Sequence, residues 1–264
     1  MRLRETGMAV AIGALAFGAA ACEQASIDCR TARGSFAATY TLKEGAGPCS
    51  ELKGDRIGMQ SYYPELEGTG KVDLSWSTLA IRTASIGRLD DEVKRRGVTL
   101  SEPLYSLGEF ASMTPDSSGQ CSVPSLSPTD VSVPAIPPEE DPLDPENPEP
   151  GVPATGITYT WSDVRLVVTP TVPGTRMTAE LTYTENGCAA KYSVAAVWPA
   201  VRCEKLTVDE SGKVVGMRQP EEKLCDSEPD PEPPYNRPTG SRINPDFKVH
   251  CDPDLFLCVL DAEP

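Results

Sequence analysis

The sequence predicts a mainly β protein: a single antiparallel sheet or sandwich-like domain with one short helix, stapled by disulfides and interrupted by Pro-rich acidic loops. Three observations predict it. Apolar residues alternate at period two through several short runs, the pattern of half-buried strands. Asn186-Gly187 separates two such runs and suits a two-residue hairpin turn whose central positions both need positive φ. Once Cys22 is set apart, Cys29, Cys49, Cys121, Cys188, Cys203, Cys225, Cys251 and Cys258 remain, an even set of the kind that pairs in an oxidising compartment.

The elements follow in chain order. Phe36, Ala38, Tyr40 and Leu42 alternate with Ala37, Thr39, Thr41 and Lys43, which gives a first strand ending at the Glu44-Gly45 turn. A second run spans Arg56 to Tyr63 and a third Lys71 to Arg82. In the third, Val72, Leu74 and Trp76 are out of phase with Leu79 and Ile81, so a bulge or a change of buried face is expected near Thr78. Ile86, Leu89 and Val93 share one helical face; Asp90 to Glu92 lie nearer the start, Lys94 to Arg96 at the end, and Gly97 can close it. This reads as a solvated surface helix.

Thr158 to Thr169 supplies another strand, with a phase change between Ile157, Tyr159, Trp161 and Val164, Leu166, Val168. A hairpin tip at 186–187 places Ala179 opposite Val194, Leu181 opposite Tyr192 and Tyr183 opposite Ala190, so every apolar residue meets an apolar partner and the register is fixed. The resulting three-strand meander is too thin to stand alone and is expected to pack on the N-terminal strands. Near the C-terminus, Phe247 to Cys251 and Leu255 to Leu260 are apolar again, the latter on both faces, as in a buried strand. Its cysteines are expected to tie the tail to Cys203, Cys225 or an earlier strand, while Cys188 and Cys203 are a reasonable pair by proximity.

Between Pro124 and Gly156 lie ten prolines and seven carboxylates with no Lys or Arg, a composition that disfavours a packed core and favours an extended linker or exposed loop. Residues 209–242 repeat the style. The expected organisation is a signal segment 1–21, an anchor and tether 22–34, an N-terminal β half 35–123, the acidic linker 124–156, a β meander 157–208, a second acidic loop 209–242 and a core segment 243–264.

Arg2 and Arg4 precede an apolar run, Met8 to Ala21, of signal-peptide length. Ala19-Ala20-Ala21-Cys22 resembles the lipobox of bacterial lipoproteins. The resemblance covers only these first 22 residues, and it implies that Cys22 is acylated and begins the mature chain. Ala19-x-Ala21 also suits the ordinary secretory peptidase, which would leave a soluble exported protein with a reactive thiol. In the lipoprotein class an Asp after the cysteine commonly signals inner-membrane retention; Glu23 stands there, which points to the outer membrane.

The chain has 264 residues and a net charge of -15, from 39 acidic against 24 basic side chains. Such a surface repels phosphate backbones, which excludes a nucleic-acid partner. His250 is the single histidine, so a zinc site with several His ligands is excluded, and its neighbours Cys251 and Cys258 lack the close spacing of a structural zinc site. Asp226, Glu228, Asp230 and Glu232 lack the glycine and glutamate spacing of a calcium loop. Gly68-Thr-Gly-Lys71 lacks the residues of a phosphate loop and reads as a turn. No nucleophile elbow occurs, Glu139-Glu140 falls in the Pro-rich stretch, and Glu51, Asp73, Asp163 and Glu180 lie near strands without forming a recognisable pair. No catalytic residue, metal site or cofactor is expected. The reading is a non-catalytic, membrane-anchored envelope lipoprotein whose exposed aromatic and strand-edge surfaces contact a protein or polysaccharide. A carboxylate-based envelope hydrolase and an extracellular solute-binding module are the alternatives.

Overall fold

The structure is a computed structural model and describes residues 27–139, 149–205, 216, 218–233 and 235–261. In chain order it contains strands β1 (Gly34–Gly45), β2 (Gly54–Tyr62), β3 (Glu65–Leu66), β4 (Lys71–Val72) and β5 (Thr78–Thr83), then helix α1 (Ala84–Arg95). There follow β6 (Ser106–Glu109), β7 (Gln120–Ser125), β8 (Thr129–Val133), β9 (Thr155–Val168), β10 (Pro173–Glu185) and β11 (Cys188–Val197). The C-terminal part adds β12 (Glu204–Lys205), β13 (Gln219–Pro220), β14 (Val249–Asp252) and β15 (Leu257–Leu260).

One antiparallel sheet runs β6-β5-β2-β1-β11-β10-β9-β7, with β8 also on β9. Its two ends meet. Ser127 N–H donates to the Leu107 carbonyl (2.7 Å), Ala111 N–H to the Ser122 carbonyl (2.9 Å) and Leu107 N–H to the Ser127 hydroxyl (3.0 Å). The sheet therefore curls on itself as an up-and-down barrel in which, the β3–β4 hairpin and β8 aside, strand neighbours are chain neighbours and β11 returns to β1. Gly108 is what lets the seam close: a Cβ there would stand 2.5 Å from the Ser125 carbonyl oxygen and 2.6 Å from Val123. A closed barrel thus replaces the sandwich alternative, while the single antiparallel sheet with one helix stands as expected.

Side chains fill the interior. Phe36, Ile57, Leu79, Trp161, Leu166, Met177, Leu181 and Tyr192 are fully buried in one apolar cluster. Tyr40 stands edge-on to Trp161 (6.4 Å), and Tyr159 edge-on to Tyr183 (5.0 Å). The hairpin register is as expected: Ala179 faces Val194, Leu181 faces Tyr192 and Tyr183 faces Ala190, with Asn186 at φ 50° and Gly187 at φ 85°. The phase change in β9 is a bulge, with Asp163 at φ 48° and the pairing slipping between Thr178 and Glu180 of β10.

Other expectations are corrected. The third run is not one strand: β4 and β5 are separate, and Val72, Leu74 and Trp76 are exposed. Leu42 is exposed too, because β1 outruns the core at its end. The stretch 124–156 is not a free linker over its described residues. Leu126, Val131 and Val133 are buried, β8 pairs with β9, and Ile136 bridges Val152 while Glu139 bridges Glu149. Alternate apolar residues between the prolines supply the burial that overall composition hides. Arg96, its side chain only 4% exposed, clamps this excursion to the end of α1: it reaches Glu139 (3.3 Å), Glu149 (3.2 Å) and the Pro150 carbonyl (2.7 Å).

The helix is half embedded rather than merely solvated. Thr83 caps it by accepting from Ile86 N–H, Ile86 and Val93 are buried, and buried Asp90 bonds Lys94 (2.9 Å) and Arg82 (3.1 Å). The C-terminal segment forms a second cluster against the outside of the barrel, where Ala37 and Val197 meet Cys203, Ile243, Leu257 and Val259. Leu255 and Phe256 lie in the turn of the β14–β15 hairpin, so the buried strand is shorter than the apolar run. Within 209–242 the described part is folded: Asp230 bridges Arg237 and binds Lys223 (2.8 Å), and Ser241 N–H donates to the Asp226 carbonyl (2.8 Å).

Candidate binding groove

With the interior filled, the places open to a ligand lie on the outside of the barrel. Alternation puts Ile57 and Met59 of β2 inward and Gly58, Gln60 and Tyr62 outward. Pairing aligns Gly58 with Arg82, Gln60 with Ala80 and Leu107, and Tyr62 with Thr78. Gly58 and Ala80 carry almost no side chain, so the centre of this face is a trough. Exposed Tyr62, Tyr105 and Leu107 form its walls, and Arg33, Gln60 and Arg82 bring polar groups, around a groove of 650 Å³. A Cβ at Gly58 would meet only the Arg82 carbonyl, at 3.6 Å. The emptiness is thus a property of the residue chosen and not of a crowded backbone. The Asp90 carboxylate, held below the ordinary range by bonds from Lys94 and Arg82, fixes the Arg82 wall.

A second groove of 810 Å³ lies between β1, β11, β10, β9 and the C-terminal hairpin. Its floor is Thr39, Thr41, Thr178, Ser193 and Ala195, and much of its charge is already matched: Lys43 binds Glu180 (2.9 Å), Arg165 binds Asp163 (3.1 Å) and His250 Nδ1 binds Asp261 (2.7 Å). Asp163 and Glu180 thus line one groove, each against its own cation. Asp73 lies elsewhere, lowered by hydrogen bonds from Ser75, and Glu139 serves Arg96. The first groove keeps aromatic faces open, and for that reason it is the better site.

Near the helical end of the barrel lies a polar group that the sequence did not announce. Asp55 points inward and accepts from Ser85 N–H (2.8 Å), seating the start of α1. Burial and the Asp55 charge push Tyr40 well above its ordinary range and Tyr159 up to about 12; burial and the bond to Glu185 raise Tyr183. All three remain neutral phenols at physiological pH, as wall residues of a packed core.

The eight described cysteines fall into four pairs: Cys29–Cys121, Cys49–Cys188, Cys203–Cys251 and Cys225–Cys258. The pairing of Cys188 with Cys203 is corrected. Cys188 opens β11 beside the turn that holds Cys49, whereas Cys203 has already left the barrel for the C-terminal unit. The sulfurs of Cys203, Cys225 and Cys258 lie within 4.8 Å of one another, but each is in a disulfide, leaving no thiolate for a metal. Cys22 and the segment 1–21, expected as a signal segment, lie outside the described residues. Sequence reasoning missed the groove because Tyr105 and Leu107 lie just before and within β6, a four-residue strand too short to show an alternating pattern. The outward set Gly58, Gln60, Tyr62 was the available signal.

A family model described as MlpA matches residues 34–199. That range runs from the first residue of β1 to just past β11, so it contains the whole barrel and excludes the disulfide-bonded C-terminal unit. A Myxococcus xanthus protein named "Putative lipoprotein MlpA" is 33% identical over 100 residues, covering 38% of this chain and 33% of that protein. The chain thus spans about a third of that relative's length. No solved structure matches.

Proposed function

We propose that this chain, which belongs to the MlpA family, is an exported lipoprotein, anchored through acylated Cys22, whose barrel binds an envelope polysaccharide in the β2–β5–β6 groove. The lipoprotein part is supported by the name of the Myxococcus xanthus relative, by the residues around Cys22 and by four disulfides, which persist in oxidising compartments. Glu23 supports the outer membrane. The binding part rests on one observation, the Gly58–Ala80 trough between Tyr62 and Tyr105. A pyranose ring has apolar C–H faces and polar edges. Tyrosine faces match the former, while Gln60, Arg33 and Arg82 offer donors to the latter.

The test is binding of the full mature chain to polysaccharide prepared from its own envelope. Gly58→Leu fills the trough where the backbone has room, so it should keep the melting temperature and weaken binding roughly tenfold or more. Retention of envelope proteins with no retention of polysaccharide would instead favour a protein partner. Equal polysaccharide binding by wild type and Gly58→Leu would remove the groove from the account.

A further inference from the structure

Among the described residues, half of the exposed large apolar side chains fall in one segment. Leu66, Val72, Leu74 and Trp76 all belong to the β3–β4 hairpin and its return to β5, and Leu74 is 65% exposed. The hairpin is built to hold this shape. Glu65 accepts from Gly70 N–H (2.8 Å), Asp73 accepts from Ser75 N–H (2.8 Å), and Asp73 N–H reaches back to the Pro64 carbonyl (2.8 Å). Two of its acids are therefore occupied in fixing turns, and the apolar residues point away from any core.

The hairpin hangs from a particular end of the barrel. β2 finishes and β5 begins at the end where β1 begins, and the N-terminal segment crosses that same end. Thr31 N–H donates to the hydroxyl of Ser61, one residue from Tyr62 (2.9 Å). Cys29 N–H donates to the Met113 carbonyl (2.8 Å), and Ser77, the neighbour of Trp76, donates its hydroxyl to Met113 sulfur (3.5 Å). The Cys29–Cys121 bridge pins this arrangement. From Ile27 to Cys22 the chain can span at most about 18 Å, even fully extended.

We propose that the β3–β4 hairpin, with Leu74 and Trp76, docks into the interfacial layer of the membrane that holds the Cys22 anchor, and so sets the barrel on that surface by the end where β1 begins. The inference rests on the lipoprotein reading. An anchor on so short a leash brings this end to the lipid, and exposed Leu, Val and Trp side chains have the chemistry of an interfacial contact. Glu65, Glu67 and Asp73 against Lys71 give the segment no attraction for anionic lipid. Zwitterionic lipid suffices, and the contact is insensitive to salt.

The test reconstitutes the full mature chain in phosphatidylcholine vesicles with brominated acyl chains, which quench tryptophan on contact. Quenching should be carried mainly by Trp76: it should fall sharply in Trp76→Phe and also in Leu74→Asp, which keeps the fluorophore but not the apolar contact. Equal quenching in wild type and Trp76→Phe overturns the proposal. So does a Trp76 shift that needs no vesicles and grows with protein concentration, because a second copy would then be the occupant. Intact mass reports acylation separately. If Cys22 carries no lipid, the anchor reading fails by itself, and the same chain added to the vesicles from solution decides the hairpin: Trp76 quenching sustains it, and none refutes it.

Discussion

Asp90 shows how one residue joins stability to the groove. It is buried, yet both its cationic partners are about half exposed, so the pair gains from hydrogen bonds while part of its charge attraction is screened by solvent. Its folded pKa lies below the unfolded value near 3.9. A depressed carboxylate contributes stability that is fully present above the unfolded pKa and fades as pH falls through the folded one. Asp90→Asn should therefore cost about 1–2 kcal/mol near pH 7. In denaturant titrations, the gap between wild type and variant should be flat above pH 5 and close as the pH drops below 4. A gap that widened on acidification would contradict the assignment. Because Asp90 also holds Arg82, the variant should weaken the proposed polysaccharide binding without abolishing it.

At the scale of elements, the β10–β11 hairpin and the 134–152 excursion show what the sequence makes legible. The hairpin was readable to the residue, since turn chemistry and alternation give the same register. Gly187→Ala forces a Cβ onto φ 85° and should cost about 1 kcal/mol, seen as a lower denaturant midpoint with unchanged slope. The excursion's prolines and acids suggest an open spacer, while what holds it is a distant arginine that the sequence places at the end of a solvated surface helix. Arg96→Gln should free it: amide exchange should rise at Glu139, Glu149 and Val152 while the β10–β11 hairpin remains protected. Uniform exchange across both elements would mean that Arg96 supports the whole barrel. The groove was only half legible, since Gly58, Gln60 and Tyr62 share a strand but Ala80 and Leu107 join them by pairing across strands.

Taken as a whole, the molecule is a packed barrel cross-linked to its own tail. Closure was not readable, because it depends on Gly108 and a seam between strands that separately look like sheet edges. Cysteine number announced cross-linking, but pairing needed the topology: Cys29–Cys121 ties the N-terminal segment to β7, and two bridges hold the C-terminal unit. The matched family range ends where that unit begins, which makes the barrel the shared part and the unit a covering of its outer face. The most direct test of this account is mass analysis of the protein extracted from its own envelope, intact and as unreduced peptides. It should show a chain beginning at a diacylated Cys22, no alkylatable thiol, and bridges joining Cys29 to Cys121, Cys49 to Cys188, Cys203 to Cys251 and Cys225 to Cys258. An unmodified Cys22 with free thiols elsewhere, or a bridge joining Cys188 to Cys203, would contradict it.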